Sequence, residues 1–374
     1  MDCNAKISDV QVYLVETRVK GHVSDATRNV GTIGYAVTIV SLDNGLQGLG
    51  ITYHEVGGEA VKEFILKTLR PVLLGRNPLE NEVLWEECFH YVRGVGRKGL
   101  AFCAYSAVDI ALWDLKGKMA GLPLYRMLGG VKRKIPIYAS GGWASYSIDE
   151  LVDEVKEMVR RGYKYVKVKA GVNGGKSPNE DVRRIRAVRD AIGPDIGLMV
   201  DANNVWHSGP AIQVANRLRE LDLVFLEEPV FADDIPGLAE FKRGTDIPLA
   251  TGEHEYTKFG VRDLLLARAA DYVQCDAVRC GGYTESLKII GMTQAWNVFY
   301  APHCMEYMHM HLMSAAPNAA FLERLLIFEE LSDMVFVNPP QPKDGYLELP
   351  DKPGLGLELN MDVLRDAEKS SRIQ

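Results

Sequence analysis

Three carboxylates recur at an even interval: Asp201, Glu227 and Glu253 lie 227 − 201 = 26 and 253 − 227 = 26 residues apart. Each closes a short apolar run, "GLMVD", "LVFLEE" and "PLATGE". Equal spacing sets them at equivalent places in successive strand–helix units, so three neighbouring strands would aim three carboxylates at one point. An all-oxygen set suits a hard cation, Mg²⁺ by default, with water and substrate oxygens completing the octahedron. Singly, each would read as a helix cap or a salt bridge. Asn203, two residues after Asp201, either orients a ligand or forms a turn.

Asp276 and His303 end two further runs, "YVQCD" and "VFYAPH". On adjacent strand ends the carboxylate fixes the imidazole tautomer and raises its basicity, which makes His303 a candidate general acid/base. In "YKYVKVKAG", Lys167 and Lys169 share one face of a strand, because side chains alternate. Lys167 and the cation are expected to disfavour the Lys169 ammonium and bring it from about 10.4 toward roughly 7 to 8, where it serves as a base. Lys167 would act as tuner and as a contact for a substrate carboxylate. Glu323, in "FLERL", is expected as a protonated carboxyl donating to a substrate carboxylate oxygen, with an Arg324 salt bridge as the alternative.

The elements that must position these residues fall into two patterns. Residues 1–130 read as strands followed by helices: "VQVYLVET", then two strands joined by Asp43-Asn44-Gly45, then helical stretches near 58–74, 79–92 and 100–120. From about 131 to 334, eight short β-branched runs alternate with amphipathic stretches at about 25-residue spacing, the signature of a (β/α) barrel. Capping boxes are expected at Ser147–Glu150 and Ser177–Glu180. No clear helix follows the eighth run, and the Pro/Gly-rich segment 335–374 is expected to pack back on the first domain.

A chain of 374 residues with net charge −7 lacks the basic footprint of a nucleic-acid or membrane-surface binder. No stretch reaches the length of a transmembrane helix and the N-terminus lacks a signal-peptide pattern, so a cytoplasmic location is expected. The six scattered cysteines, Cys3, Cys88, Cys103, Cys275, Cys280 and Cys304, read as reduced thiols rather than a disulfide framework. Zinc ligation by Cys275, Cys280 and Cys304 beside His303 is disfavoured by their spacing.

Taken in order, "VKVK", "VDAN", "LEEP", "TGE", "QCDAVRCGG", "APH" and "LERL" resemble the enolase superfamily, specifically the mandelate racemase subgroup. "SAVDIALWDLKGKMAGLPLYRMLGG" is similar to the end of that family's N-terminal domain. The resemblance implies an α+β capping domain over a modified TIM barrel, (β/α)₇β. It also implies Mg²⁺ on Asp201, Glu227 and Glu253, Lys169 and His303 as acid/base groups on opposite faces of the α-carbon, and lid segments near residues 20 and 50. The shared first step is abstraction of the proton α to a carboxylate.

In the lid segments, His22, Ser24, Asp25, Thr27, Arg28, Asn29, Tyr53 and His54 supply hydrogen-bonding groups suited to a polyhydroxylated acid. The expected activity is dehydration of an acid sugar, an aldonate or aldarate, to the 2-keto-3-deoxy acid. Racemisation or epimerisation of a 2-hydroxy acid is the alternative. Arg28 is a candidate partner for a distal group, and Trp143, Trp206, His207 and His254 are candidate contacts at the barrel mouth. A homo-oligomer is expected. Two competing readings are a Schiff-base aldolase, which has no need of three spaced carboxylates, and a sugar-acid binding protein without catalysis, which would not need Lys169 and His303.

Overall fold

The computed structural model describes residues 4–131 and 133–371, so Cys3 lies outside the described residues. Strands β1 (Ile7–Arg18), β2 (Thr32–Leu42) and β3 (Gln47–His54) form an antiparallel sheet in chain order. The β2–β3 turn falls on Asp43-Asn44-Gly45, with Gly45 at φ 86°, the left-handed conformation that glycine adopts without cost. The long helix Leu100–Ala120 packs across β3. Gly50 permits that approach, since a Cβ there would collide with the Ala107 carbonyl. The helix expected over 58–74 is interrupted by a π turn at Ile65–Leu69. Arg70 closes that turn on the Ile65 carbonyl, and Pro71 after it has no N–H to continue the ladder.

All eight expected barrel strands are present: β4 (Lys134–Ser140), β5 (Tyr165–Lys169), β6 (Gly197–Asp201), β7 (Leu223–Glu227), β8 (Leu249–Thr251), β9 (Tyr272–Val273), β10 (Phe299–Tyr300) and β11 (Leu322–Leu325). They run parallel in the order β10-β9-β8-β7-β6-β5-β4-β11. The remaining seam is bridged by Tyr300 N–H to the Asn318 carbonyl at 3.0 Å and Ala320 N–H to the Tyr300 carbonyl at 2.9 Å. Helices Ile148–Arg160, Pro178–Ile192, Ser208–Leu218, Ile235–Gly244, Thr257–Leu266, Gly282–Ala295 and Glu306–Ala315 link successive strands. This is a (β/α)₇β barrel carrying an antiparallel cap.

The Ser147–Glu150 capping box forms as expected, each partner satisfying the other's backbone N–H. Ser177 makes no such bond. The carboxylate of Asp181 instead turns back to accept from Gly171 and Val172 N–H at 2.9 and 3.0 Å, and the helix starts on Pro178. After β11 a helix does follow, a single short one at Glu329–Val335 behind a 3₁₀ turn. Seven residues are too few to display a helical period in sequence. Beyond it, β12 (Tyr346–Glu348) pairs antiparallel with β4, and the helix Met361–Ser371 lies against β1.

Cap and barrel are joined by buried polar contacts. Asp109 accepts from Thr284 N–H at 2.9 Å and Oγ1 at 2.6 Å, and Trp85 Nε1 donates to the Gly281 carbonyl at 3.0 Å. Phe328, just past β11, stacks on Tyr35 and meets Tyr53 edge-on, each at 5.6 Å between centroids. Among the described residues, no helix is long and apolar enough to cross a membrane.

Candidate active site

The barrel strands are buried on both faces, so β5 carries two lysines into the interior while Val166 and Val168 face the helices. Lys167 is level with Met199 and Phe225, which with Tyr138 and Ala250 fill the barrel below. One layer higher, Lys169, Asp201 and Glu227 are in register on adjacent strands. The chemistry therefore begins where the apolar filling ends.

Both lysines are paired. Lys167 Nζ lies 2.6 Å from Glu227 Oε1 and 2.8 Å from Glu323 Oε1, and Lys169 Nζ lies 2.5 Å from Asp201 Oδ2. Repulsion from Lys167, expected to help lower Lys169, is outweighed by this pairing. Burial opposes its ammonium most strongly, but Asp201, with Glu227 and Glu323 beyond it, outweighs burial and Lys167 and raises Lys169 to about 12. The same pairing corrects the expected protonation of Glu323. Burial acts against the carboxylate, yet Lys167, His303 and Lys169 hold it well below its ordinary range. Arg324 does not pair with it, turning instead to Glu306 and Glu329. Glu323 Oε2 accepts the Cys304 N–H at 2.8 Å.

His303 faces Asp276, Nδ1 to Oδ2 at 3.3 Å, and Glu253, Nε2 to Oε2 at 3.5 Å. Burial disfavours its charge, but Glu253, Asp276 and Glu323 raise it to about 9. Burial likewise opposes the Glu253 carboxylate, and His303, His254 and Lys169 lower it to about 2.

The acid layer continues into residues that spacing did not single out. Glu227 also accepts from Gln274 Nε2 at 2.6 Å. Among the described residues, Glu228, Glu253 and His254 bring ligand atoms within 4.8 Å of one another. Glu228, Asn203 and Asn204 have φ of 39°, 44° and 65°, a left-handed backbone at two adjacent strand ends that is costly for glutamate and typical of functional sites. Glu228 Oε1, Asn203 Oδ1 and Asn204 Oδ1 are buried oxygens without a hydrogen-bond donor in the protein. With Asp201, Glu227 and Glu253 beside them, this oxygen-rich surplus fits a hard divalent cation.

These groups open into a cavity of about 920 Å³. Lys169, His303 and Glu253 line it with Arg28, Tyr53, His54, Asn203, His254 and Trp143. Asp25 and Thr27 also line it. His22, Trp206 and His207 are not among the lining residues: the His22 carbonyl accepts from Ser145 Oγ at 2.7 Å and Trp206 Nε1 donates to the Gly175 carbonyl at 3.1 Å. Arg279 is a wall residue absent from the candidates. Its guanidinium donates to Tyr53 Oη at 2.8 Å and Tyr256 Oη at 2.9 Å. A charge inside the Gly-flanked "AVRCGG", just past a strand end, was its available signal. Glu55 also lines the wall.

Residues 8–129 match the mandelate racemase / muconate lactonizing enzyme N-terminal domain, and 150–363 match the enolase C-terminal domain-like family. The chain belongs to the mandelate racemase / muconate lactonizing enzyme family of the enolase superfamily. Within this family it is 32% identical to an arabinonate dehydratase of Saccharolobus solfataricus, over 96% of this chain and 98% of that protein. A racemase from Streptomyces coelicolor A3(2) with bound magnesium superposes with a TM-score of 0.92 at 30% identity, covering 96% of this chain and 99% of that one. L-talarate/galactarate dehydratase from Salmonella typhimurium LT2, solved with Mg and L-lyxarohydroxamate, superposes with a TM-score of 0.90 at 31% identity, covering 97% and 93%. For a family enzyme, the paired lysines, the Asp276–His303 dyad and the acid layer are the parts that can do chemistry.

Proposed function

We propose that this protein is a Mg²⁺-dependent dehydratase that converts an acid sugar to its 2-keto-3-deoxy acid. The observation that carries the reading is that Lys169 and His303 line one cavity above the carboxylates of Asp201, Glu227 and Glu253. Bound to those three carboxylates, Mg²⁺ would neutralise the substrate carboxylate and the charge it gains.

Lys169 takes the proton from C2. It can do so only as the neutral amine, so its ion pair with Asp201 must open first. Lys167, fixed between Glu227 and Glu323, offers an ammonium to the carboxylate oxygen that becomes negative. His303, held by Asp276 and cationic at neutral pH, gives its proton to the departing hydroxyl at C3, and water leaves. The enol of the 2-keto acid then takes up a proton at C3. Asn203 steadies Asp201, donating from N–H at 2.8 Å and from Nδ2 at 3.1 Å.

A second reading, racemisation or epimerisation, is favoured by the presence of two proton-transfer groups on one cavity. It needs no departing β-hydroxyl. A screen of acid sugars with Mg²⁺ separates the two: semicarbazide scores 2-keto product, and NMR in D₂O scores α-proton exchange. Keto product is expected. Exchange without keto product across the library would overturn the dehydratase reading.

A further inference from the structure

We infer that Glu55, clamped by Arg28, restricts the substrate to acid sugars with a single carboxylate, aldonates, and excludes the matching aldarates. This rests on the dehydratase reading. The two relatives that bracket the question are a dehydratase of arabinonate, with one carboxylate, and one of talarate and galactarate, with two.

The argument is one of charge over the reacting carbon. Glu55 lines the cavity with its side chain 17% exposed, and Asp25 lines it with its side chain 7% exposed. Both lean on the same guanidinium: Arg28 Nη2 lies 3.0 Å from Glu55 Oε1, and Arg28 Nε 3.4 Å from Asp25 Oδ2. One cation against two carboxylates leaves this part of the lid with a formal charge of −1. Arg28 is therefore occupied and unsuited to receive a distal carboxylate. Glu55 lines the same cavity as His303 and Lys169, so the lid carboxylate and the two proposed proton-transfer groups face one enclosed space.

In the proposed pose a substrate enters the metal layer by its carboxylate and runs its remaining carbons toward the lid wall that holds Glu55. A terminal hydroxymethyl donates its O–H to that carboxylate and completes it. A terminal carboxylate would bring like charge into a half-enclosed space.

Most of the other cationic groups lining the cavity are paired with carboxylates. Lys98 pairs with Glu255 at 3.8 Å, and Lys169 with Asp201. His254 lies 3.4 Å from both Glu228 and Glu253. Burial lowers the pKa of His54, which favours its neutral form. Arg279 is separated from His303 by the Tyr53 hydroxyl, which lies 2.8 Å from Arg279 Nη1 and 3.5 Å from His303 Nδ1. Among these groups Arg279 alone is held by hydroxyls rather than a carboxylate, and the Tyr53 hydroxyl stands between it and His303.

The test pairs each aldonate with the aldarate of identical stereochemistry, galactonate with galactarate and gluconate with glucarate among them, and measures kcat/KM for keto product with Mg²⁺. In the best pair the monoacid is expected to exceed the diacid by about 100-fold or more. Glu55→Gln, which keeps the shape and removes the charge, is expected to narrow that ratio about 10-fold or more, mostly through KM. A diacid turned over as fast as its monoacid overturns the inference while leaving the dehydratase reading intact. So does an unchanged ratio in a folded Glu55→Gln protein. Should the variant not fold, the wild-type ratio alone decides. Absence of keto product from every pair overturns both.

Discussion

Two buried histidines eight positions apart, His303 and His311, are shifted in opposite directions. His303, at the barrel mouth, is raised to about 9 by Glu253, Asp276 and Glu323 against the burial that opposes it. His311, on the helix Glu306–Ala315, is lowered to about 4, mainly by burial. Its neighbours are neutral: Nδ1 accepts the Tyr125 N–H at 3.2 Å, Nε2 donates to the Leu355 carbonyl at 2.9 Å, and the Tyr125 ring stacks on it. Burial is common to both, so the neighbours decide. At the mouth, carboxylates impose charge on whatever is buried among them; at the rear, the fold keeps a titratable group neutral and uses it as a strut.

The largest effect that could break this contrast is metal removal. EDTA is expected to abolish dehydration completely and added Mg²⁺ to restore it, with Mg²⁺ alone raising the melting temperature of the metal-free protein; activity indifferent to chelation would mean that the acid surplus serves another purpose. Next is Lys167→Met, which strands the buried carboxylates of Glu227 and Glu323 without their cation. Denaturant unfolding should show a loss of roughly 3–5 kcal/mol.

His311 gives the third effect, on stability against pH. Its folded value lies below its ordinary 6.5, so the unfolded chain binds the proton first. The stability it contributes is complete above about pH 6.5 and is lost as pH falls toward 4, a total of about 3 kcal/mol. His311→Gln should flatten the unfolding free energy over that window, and an unchanged slope would contradict the assignment. The smallest is Asp276→Asn, which keeps the contact to His303 but not the charge. It should cost about 10- to 100-fold in kcat while leaving the melting temperature within a few degrees.

The sequence showed the barrel clearly because each strand is buried on both faces and so reads as an apolar run, and because each run ends in a polar residue such as Asp201, Asp276 or His303. What it could not show was how side chains reach across the barrel. Lys167 was read against Lys169, its neighbour in sequence, yet its charge is set by Glu227 and Glu323 on other strands. Glu228 was passed over and His254 was read only as a mouth contact, because each follows the residue that keeps the 26-residue interval. Ser177 carried a capping pattern, but tertiary contacts with Asp181 fix that helix start. The lid was legible as polar and no further, since the division of Arg28 between Asp25 and Glu55 is a property of two loops folded together.

The central claim is that Lys169 and His303 move different protons on one substrate. The most direct measurement is NMR in D₂O of the acid sugar found by the screen, with Lys169→Ala and His303→Asn alongside the wild type. Both variants should lose dehydration by about 10³-fold or more. His303→Asn should still exchange the C2 proton through Lys169, whereas Lys169→Ala should not. Full dehydration by either variant, or exchange by Lys169→Ala at the wild-type rate, would contradict it.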